Sequence, residues 1–293
     1  MRSVDTMRWL NKIIFAGMAG LSLGGLLRAE DLAEDIARIH IEAIGGESRV
    51  ARLESFRAAG QSSVGDFTMD FQMWAQRPQS IRIEAMQQNQ TLVQGWDGQN
   101  EPWLQNGANG VTELMPSALG ARFKIELAFD TPLYRPKDQG YALEYAGEGE
   151  VDGRPVVKLL ATRNFTDQST LYLAADTYFI VRQDRVRREP NGSSLKTQTF
   201  YQDFRPVLGV IMPHRILVQE GERLVSDVVL NWMEPDPPLG SEDFRMPGAA
   251  ADAPKVEASI EPAQQPADEG AVDFGLGDLR QVDQPEAVSI LRE

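Results

Sequence analysis

The residue types that most often carry chemistry are few in this sequence, and they do not form a recognisable reactive site. The two histidines, His40 and His214, lack the spacing of a zinc site, and cysteine is absent, which excludes disulfides, thiolate ligands and cysteine nucleophiles. The chain also lacks a nucleophile elbow, a phosphate-binding loop and a dinucleotide-binding glycine motif. Acidic residues are numerous, but no pair stands out as a general acid and base. We therefore expect no catalysis, no cofactor and no metal ion.

The charge of the chain limits the partners it can bind. A net charge of −14 at pH 7 argues against nucleic acid, because phosphate binding needs a basic surface. The same charge argues against broad attachment to anionic lipid surfaces. With 42% hydrophobic residues, the chain has enough apolar material for a sizeable core.

The most informative pattern is an apolar face on two neighbouring segments. From Asp66 to Trp74 every second residue is apolar, and a strand turns alternate side chains to one face. The segment that begins at Gln79 repeats the alternation, with Arg82 and Glu84 between its apolar residues. A methionine-rich face of this kind either covers a filled core or encloses an apolar ligand, and residue types alone leave both alternatives open. The predicted cavity wall consists of Phe67, Met69, Phe71, Met73, Ile81, Ile83 and Leu92.

The wider pattern predicts a mainly β fold with helices, in the α+β class. Eleven segments between residues 55 and 232 are rich in β-forming residues or alternate in polarity, and Asp-Gly and Asn-Gly turns separate several of them. Strands at such short intervals predict an antiparallel meander, and about ten of them cannot form an open flat sheet without curling or closing.

Helical periodicity occurs at three places. Residues 31–46 carry apolar residues at helical spacing and end at a glycine pair, and a shorter helical segment follows at 46–55. A third helix interrupts the strands and places Leu119, Phe123 and Leu127 on one face at four-residue spacing. These three residues either pack into the core or belong to a lid across the open edge of the curved sheet.

Both ends of the chain differ from its middle. Residues 1–29 contain basic residues and a 15-residue uncharged run, which as a helix would span about 22 Å, less than the roughly 30 Å of a bilayer core. This predicts a signal peptide cleaved after Ala29 and a periplasmic or otherwise exported protein, with an uncleaved membrane anchor as the alternative. Residues 248–293 contain ten acidic and three basic residues and predict a disordered acidic tail. The folded domain is expected at residues 30–247.

Five segments share features with a known family, in order between residues 35 and 247. They are HIEAIGGESRVARLESFRAAG, IRIEAMQQNQTLVQGWDGQNEPW, LYLAADTYFIVRQDRV, YQDFRPVLGVIMPHRI and VVLNWMEPDPPLGSEDFRMP. In these segments the chain resembles the LolA/LolB superfamily of exported lipoprotein carriers, which includes outer-membrane lipoprotein-sorting proteins.

The resemblance implies a curved antiparallel sheet that forms an incomplete barrel around a hydrophobic cavity, lidded by helices. Such cavities accept the acyl chains of lipoproteins or of other lipids. In true carriers an arginine ties the lid to the barrel, and Arg57 in the first predicted strand is the candidate here. The acidic tail has no counterpart in the family, and the chain lacks the acylated cysteine of the membrane-anchored receptors.

These observations predict an exported carrier or sensor that binds the acyl chains of a lipid or lipoprotein. The expected partners are a lipid or an acylated protein, with an envelope protein as a further candidate, and we expect a monomer. The alternative is an envelope interaction or regulatory scaffold with a filled core, acting through its surface or its acidic tail. An enzyme is the third alternative, and no catalytic constellation supports it.

Overall fold

The computed structural model describes residues 29–248, except 66, 88–89, 165–166 and 189–193. The predicted signal peptide, 1–29, and the predicted tail, 248–293, therefore lie outside the described residues apart from Ala29 and Gly248. In the described part of the chain, no helix is long and apolar enough to cross a membrane.

Two helices open the described chain. Helix α1 spans Ala29–Ala43 and helix α2 spans Glu47–Arg52. Along α1, Ala33, Ile36 and Ala37 follow the helical repeat and are buried against the sheet. The apolar residues at helical spacing in this region therefore form the face by which α1 packs on the sheet.

The turn out of α1 depends on glycine. Gly45 has a φ of 138°, a region that favours glycine, and a Cβ at this position would lie 2.4 Å from the carbonyl oxygen of Gly209. The amide of Ile211 donates a hydrogen bond of 2.7 Å to the carbonyl of Ile44. The end of α1 is thus fixed directly against a later hairpin of the sheet.

The described residues form one antiparallel sheet of thirteen strands with helix α3 (Ser117–Glu126) inserted after the sixth. The strands are β1 (Ser55–Val64), β2 (Phe67–Gln76), β3 (Ser80–Gln87), β4 (Gln90–Trp96), β5 (Trp103–Gln105), β6 (Thr112–Leu114), β7 (Ala142–Val151), β8 (Arg154–Asn164), β9 (Asp167–Ala174), β10 (Ile180–Arg188), β11 (Ser194–Val207), β12 (Val210–Glu220) and β13 (Arg223–Pro235). Their order across the sheet is β6-β5-β4-β3-β2-β1-β13-β12-β11-β10-β9-β8-β7.

The sheet is an antiparallel meander in which one pair of successive strands does not pair and the first strand pairs with the last. Successive strands pair throughout, except that β6 and β7 lie at opposite edges, while β1 pairs with β13. The sheet is therefore not closed, and the predicted α+β fold with an incomplete barrel is confirmed. The sequence patterns missed the short strands β5 and β6, each of three residues.

The helices cover different parts of the sheet. Helix α1 packs on β7, β8 and β9, where Leu143, Leu159 and Leu171 are buried. Helix α3 contributes Phe123 to a second cluster, which includes Ile83. Each helix thus buries an apolar part of the sheet that would otherwise meet solvent.

The last described segment packs on the outer side of the sheet. Phe244 follows a short 3₁₀ helix, Ser241–Asp243, and is fully buried. Its carbonyl oxygen accepts a hydrogen bond of 3.0 Å from Nε1 of Trp103. This contact covers β4 and β5 on the face opposite to α3.

Candidate functional site

A cavity of about 180 Å³ lies between the end of α3 and the inner face of the sheet. Strands β1, β2, β3 and β10 to β13 all contribute side chains to it. Because β1 pairs with β13, residues from the two ends of the domain meet around one space. The lining divides into an apolar wall and a polar wall.

The apolar wall carries aromatic and aliphatic side chains from strands and from the end of α3. Its contributors alternate along their strands, since successive side chains point to opposite faces. The apolar wall consists of Phe71, Met73, Ile83, Leu127, Ile216, Val228 and Leu230.

Helix α3 forms the cover on this side. Its Phe123 is buried, and Leu119 and Leu127 pack partly buried in the same cluster. Nε of Arg122 donates to Oε1 of Glu126 at 2.8 Å, so the last turn of α3 carries an ion pair in the largely buried region next to the cavity. The helix therefore presents apolar side chains and one paired carboxylate to the sheet.

The polar wall is the other part of the lining, and it adjoins the apolar wall, since Tyr201 on β11 pairs with Ile216 on β12. It carries hydroxyl groups, an amide, a guanidinium and a carboxylate, which can donate and accept hydrogen bonds. The polar wall consists of Ser62, Glu126, Gln183, Arg185, Thr197, Thr199 and Tyr201.

The guanidinium of Arg185 belongs to a buried charge cluster. Asp167, with 1% of its side chain exposed, accepts a hydrogen bond of 2.6 Å from the Tyr141 hydroxyl and pairs with Arg163 at 2.8 Å. Arg185 is a more distant partner of the same carboxylate, at 3.4 Å. Burial, and then the hydrogen bond to Asp167, raise the pKa of Tyr141 to about 12, so this phenol is a constant donor to the carboxylate.

Gln183 connects this cluster to the cavity. With its amide oxygen towards Arg185, Gln183 accepts from Nη2 of Arg185 at 3.0 Å and from Oγ of Ser169 at 3.1 Å. The amide nitrogen then donates to the Tyr201 hydroxyl at 2.9 Å. Burial raises the pKa of Tyr201, so its hydroxyl stays protonated and can donate into the cavity.

The cavity volume limits what this conformation holds. An engineered apolar cavity of roughly 150 Å³ binds a benzene molecule, and the cavity here is only slightly larger, at about 180 Å³. It therefore accommodates a short part of an alkyl chain and not a complete long acyl chain. A longer chain requires displacement of α3 or of the strands beside it.

Arg77 ties the helical part of the domain to the sheet. It follows β2, pairs with Asp130 at 2.7 Å, and donates to the carbonyls of Val50 and Leu53 at the end of α2. Its guanidinium also lies 4.8 Å from the ring centroid of Phe129, an aromatic residue in the segment that follows α3. One side chain thus connects α2, the end of β2 and the segment after α3.

Arg57, which the resemblance suggested for such a connection, lies on the outer face of β1. Its side chain donates to Gln72 at 2.6 Å and lies 5.4 Å from the ring centroids of both Trp74 and Trp232. These contacts join β1 to its two neighbouring strands, on the face opposite to the cavity-lining Ser62.

The structure brings most of the predicted wall and lid residues together. Phe71, Met73, Ile81 and Ile83 pack in one cluster with Leu119, Phe123 and Leu127, and four of these seven line the cavity. Met69 is buried, and Leu92 is half-buried on the same face of β4 that carries Trp96. Phe67 is 52% exposed at the beginning of β2 and does not line the cavity.

The sequence patterns missed the entire polar wall. Thr197, Thr199 and Tyr201 share one face of β11 by alternation, but their polarity gave no reason to place that face inside. Gln183 and Arg185 alternate in the same way along β10. The only signal in the sequence was this alternation, which does not tell which face is the inner one. As for metal ions, no three His, Asp or Glu side chains in the described ranges are arranged to hold one.

No family model matches the sequence, and no curated protein shows significant similarity to it. The fold, however, is found among solved structures. An outer membrane lipoprotein-sorting protein domain from Vibrio parahaemolyticus has a TM-score of 0.52 at 11% identity, over 73% of this chain and 97% of that one. A DUF1329 family protein from Desulfovibrio piger also has a TM-score of 0.52, at 13% identity, over 74% of this chain and 97% of that one. A LolA superfamily protein from Nitrosomonas europaea has a TM-score of 0.49 at 15% identity, over 73% and 97% of the two chains.

The first two similarities show the fold of this chain. Each covers nearly the whole of the solved domain and about three quarters of this chain. The predicted resemblance to lipoprotein-sorting domains is therefore confirmed at the level of the fold.

Proposed function

We propose that this protein is an exported carrier or sensor that binds the acyl chain of a lipid or lipoprotein in the cavity under α3. The observation that carries the proposal is the cavity itself, with an apolar wall of seven side chains below a helix. The cavity favours this proposal over the alternative, a scaffold with a filled core. The shared fold with a domain described as lipoprotein-sorting supports the same function.

Helix α3 is the lid in this proposal. The cavity holds only a short part of a chain, so a complete acyl chain enters when α3 moves away from β2 and β3. Leu119, Phe123 and Leu127 would then exchange contacts with the sheet for contacts with the ligand. Each buried methylene contributes about 0.8 kcal/mol, so even the part of a chain that the present cavity admits would supply several kcal/mol before the costs of ordering.

Export and partners follow from the sequence. The signal-like segment at 1–29 supports a periplasmic location, and the absence of cysteine agrees with a protein that needs no disulfide there. The ligand is a lipid or an acylated protein. The acidic tail is a candidate contact for an envelope protein, separate from the cavity.

The test uses two neighbouring valines on β13. Val228 lines the cavity, whereas the next residue, Val229, points to the other face and is 38% exposed. Val228→Phe places a ring in the space that the ligand needs, and Val229→Phe adds the same atoms outside it. Mass spectrometry of an organic extract from each protein, purified gently from the periplasm, measures the lipid retained per chain.

The expected result is a stoichiometric lipid on the wild type and on Val229→Phe, and its loss from Val228→Phe. Circular dichroism checks that all three proteins are folded. Equal lipid content in the two variants would show that the ligand does not occupy this cavity. A folded wild type that remains empty after incubation with added lipids would refute the carrier function and favour the scaffold.

A further inference from the structure

We propose that the polar wall is a headgroup site, which binds the anionic oxygen group of a single-chain amphiphile, a carboxylate or a phosphate, while the alkyl chain lies on the apolar wall. The inference rests on the proposed function, because it assigns the other end of the ligand that the cavity binds. A ligand that was apolar throughout would have to desolvate the polar wall without hydrogen-bonding it, which is costly.

The charges around the polar wall favour an anion. Glu126 is neutralised by Arg122, at 2.8 Å in the last turn of α3. On the other side, Arg163 and Arg185 share the single carboxylate of Asp167, at 2.8 and 3.4 Å. These two groups together carry one positive charge in excess, although the whole chain is strongly acidic. The excess lies on Arg185, since it is the more distant of the two partners of Asp167.

Arg185 also has donors to offer. A guanidinium carries five N–H groups, and the contacts of Arg185 with described residues, to Asp167 and to Gln183, engage at most three of them. Arginine binds carboxylate and phosphate groups in a forked geometry, with charge-assisted hydrogen bonds. The group that lines the cavity is thus chemically suited to an anionic oxygen ligand.

The hydroxyl groups complete the site. Tyr201 is held by Gln183, which is in turn held by Arg185, so its position is fixed before a ligand arrives. Thr197 and Thr199 place two further hydroxyls on the same face of β11, each able to donate a hydrogen bond. An anionic headgroup beside Arg185 would therefore meet one cation and several neutral donors.

The test compares two eight-carbon probes that differ only at the head. Octanoate carries a carboxylate at pH 7.5, and 1-octanol carries a neutral hydroxyl on the same chain. Isothermal titration calorimetry with the full-length mature protein measures both affinities. Acetate and inorganic phosphate, titrated alone, represent the anionic group without the chain.

Two substitutions distinguish the loss of the headgroup contact from damage to the fold. Arg185→Gln removes the cation, while Asp167 keeps Arg163 and Tyr141 as partners. The control is Arg215→Gln on β12. Arg215 is an exposed arginine that pairs with Asp227, and it lies on the outer face although its neighbour in sequence, Ile216, lines the cavity. Since the wild-type comparison of the two probes needs no variant, the test remains decisive if Arg185→Gln fails to fold.

We expect octanoate to bind the wild type about tenfold more tightly than 1-octanol, because one charge-assisted hydrogen bond contributes a difference of this size. Arg185→Gln should remove this preference by weakening octanoate alone, and Arg215→Gln should keep it. Equal affinities in the wild type would refute the headgroup site and leave the carrier function intact. Acetate or phosphate binding as tightly as octanoate would show a site for free anions, against the proposal. Binding of neither eight-carbon probe would refute both the headgroup site and the carrier function.

Discussion

The buried histidine of α1 makes the stability of the fold depend on pH. His40 is 4% exposed, and its Nδ1 donates to the carbonyl of Tyr178, in the turn between β9 and β10, at 2.8 Å. Burial lowers its pKa from 6.5 to about 4, against the opposing effect of that hydrogen bond. Lowering the pH therefore favours protonation of His40, which should weaken the attachment of α1 to the sheet.

The sign and size follow from the two pKa values. Between pH 6.5 and about 4 the unfolded chain binds a proton at His40 that the folded chain does not bind, so the free energy of unfolding falls as the pH falls. One pH unit corresponds to about 1.4 kcal/mol, and the whole interval therefore corresponds to about 3 kcal/mol. Above pH 6.5 this contribution is fully present.

The carboxyl groups with lowered pKa values act in a different interval. Burial alone would raise the pKa of Asp97 and of Asp184, but hydrogen bonds lower both below the usual 3.8. These groups contribute stability that is lost only as the pH falls below that value. The fall between pH 6.5 and 4 is thus assigned to histidine.

The assay is urea unfolding followed by the fluorescence of the five tryptophans, at several values between pH 8 and pH 4.5. The variant His40→Gln removes the proton-binding group while its amide can still donate to Tyr178. His40→Gln should lose most of the pH dependence of the free energy of unfolding. The variant His214→Gln keeps His40 and should retain the part of the pH dependence that is due to His40. A wild-type free energy of unfolding that is the same at pH 7 and pH 4.5, or a His40→Gln protein that falls as steeply as the wild type, would refute the reasoning.

Two further predictions concern packing. Arg77→Met leaves the largely buried Asp130 without its partner and should lower the free energy of unfolding by about 3 kcal/mol, as measured by urea unfolding; an unchanged midpoint would show that this arginine does not hold the helices to the sheet. Gly95→Ala places a Cβ 2.4 Å from the ring of Trp103 and should destabilise by about 1–3 kcal/mol, whereas Gly149→Ala meets only the flexible end of a lysine, at 3.6 Å or more. A smaller loss for Gly95→Ala than for Gly149→Ala, by thermal unfolding, would contradict this account.

The parts of the fold that sequence alone predicted are those that depend on neighbouring residues. The burial of α1 follows the spacing of Ala33, Ile36 and Ala37, and the strand pair β2–β3 follows strict alternation. The pairing of β1 with β13 joins residues about 165 to 180 positions apart, with Phe56 opposite Pro235 at one end, and no local pattern encodes it. The three-residue strands β5 and β6 were missed because so short a segment shows no periodicity.

The two walls of the cavity also differ in how well the sequence alone predicts them. The apolar residues of β2 and β3 are recognisable because hydrophobic alternation assigns them to the inner face. On β11 the same rule fails, since Phe200 lies on the outer face beside Arg182, while Thr199 and Tyr201 point into the cavity. A polar inner face costs stability in an ordinary core, and so its presence is a reason to look for a ligand with a polar end.

The arrangement of the chain separates the two requirements of such a ligand. The first half of the sheet supplies Phe71, Met73 and Ile83 to the apolar wall, and in the proposed complex these side chains would contact the alkyl chain by apolar area. Strands β10 and β11 supply Arg185 and Tyr201, which in the proposed complex would bind the headgroup by charge and hydrogen bonds. Substitutions in the first half should therefore weaken ligands of every headgroup together, whereas substitutions on β10 and β11 should change the preference among headgroups. It is the pairing of β1 with β13 that places these two independent determinants around one cavity.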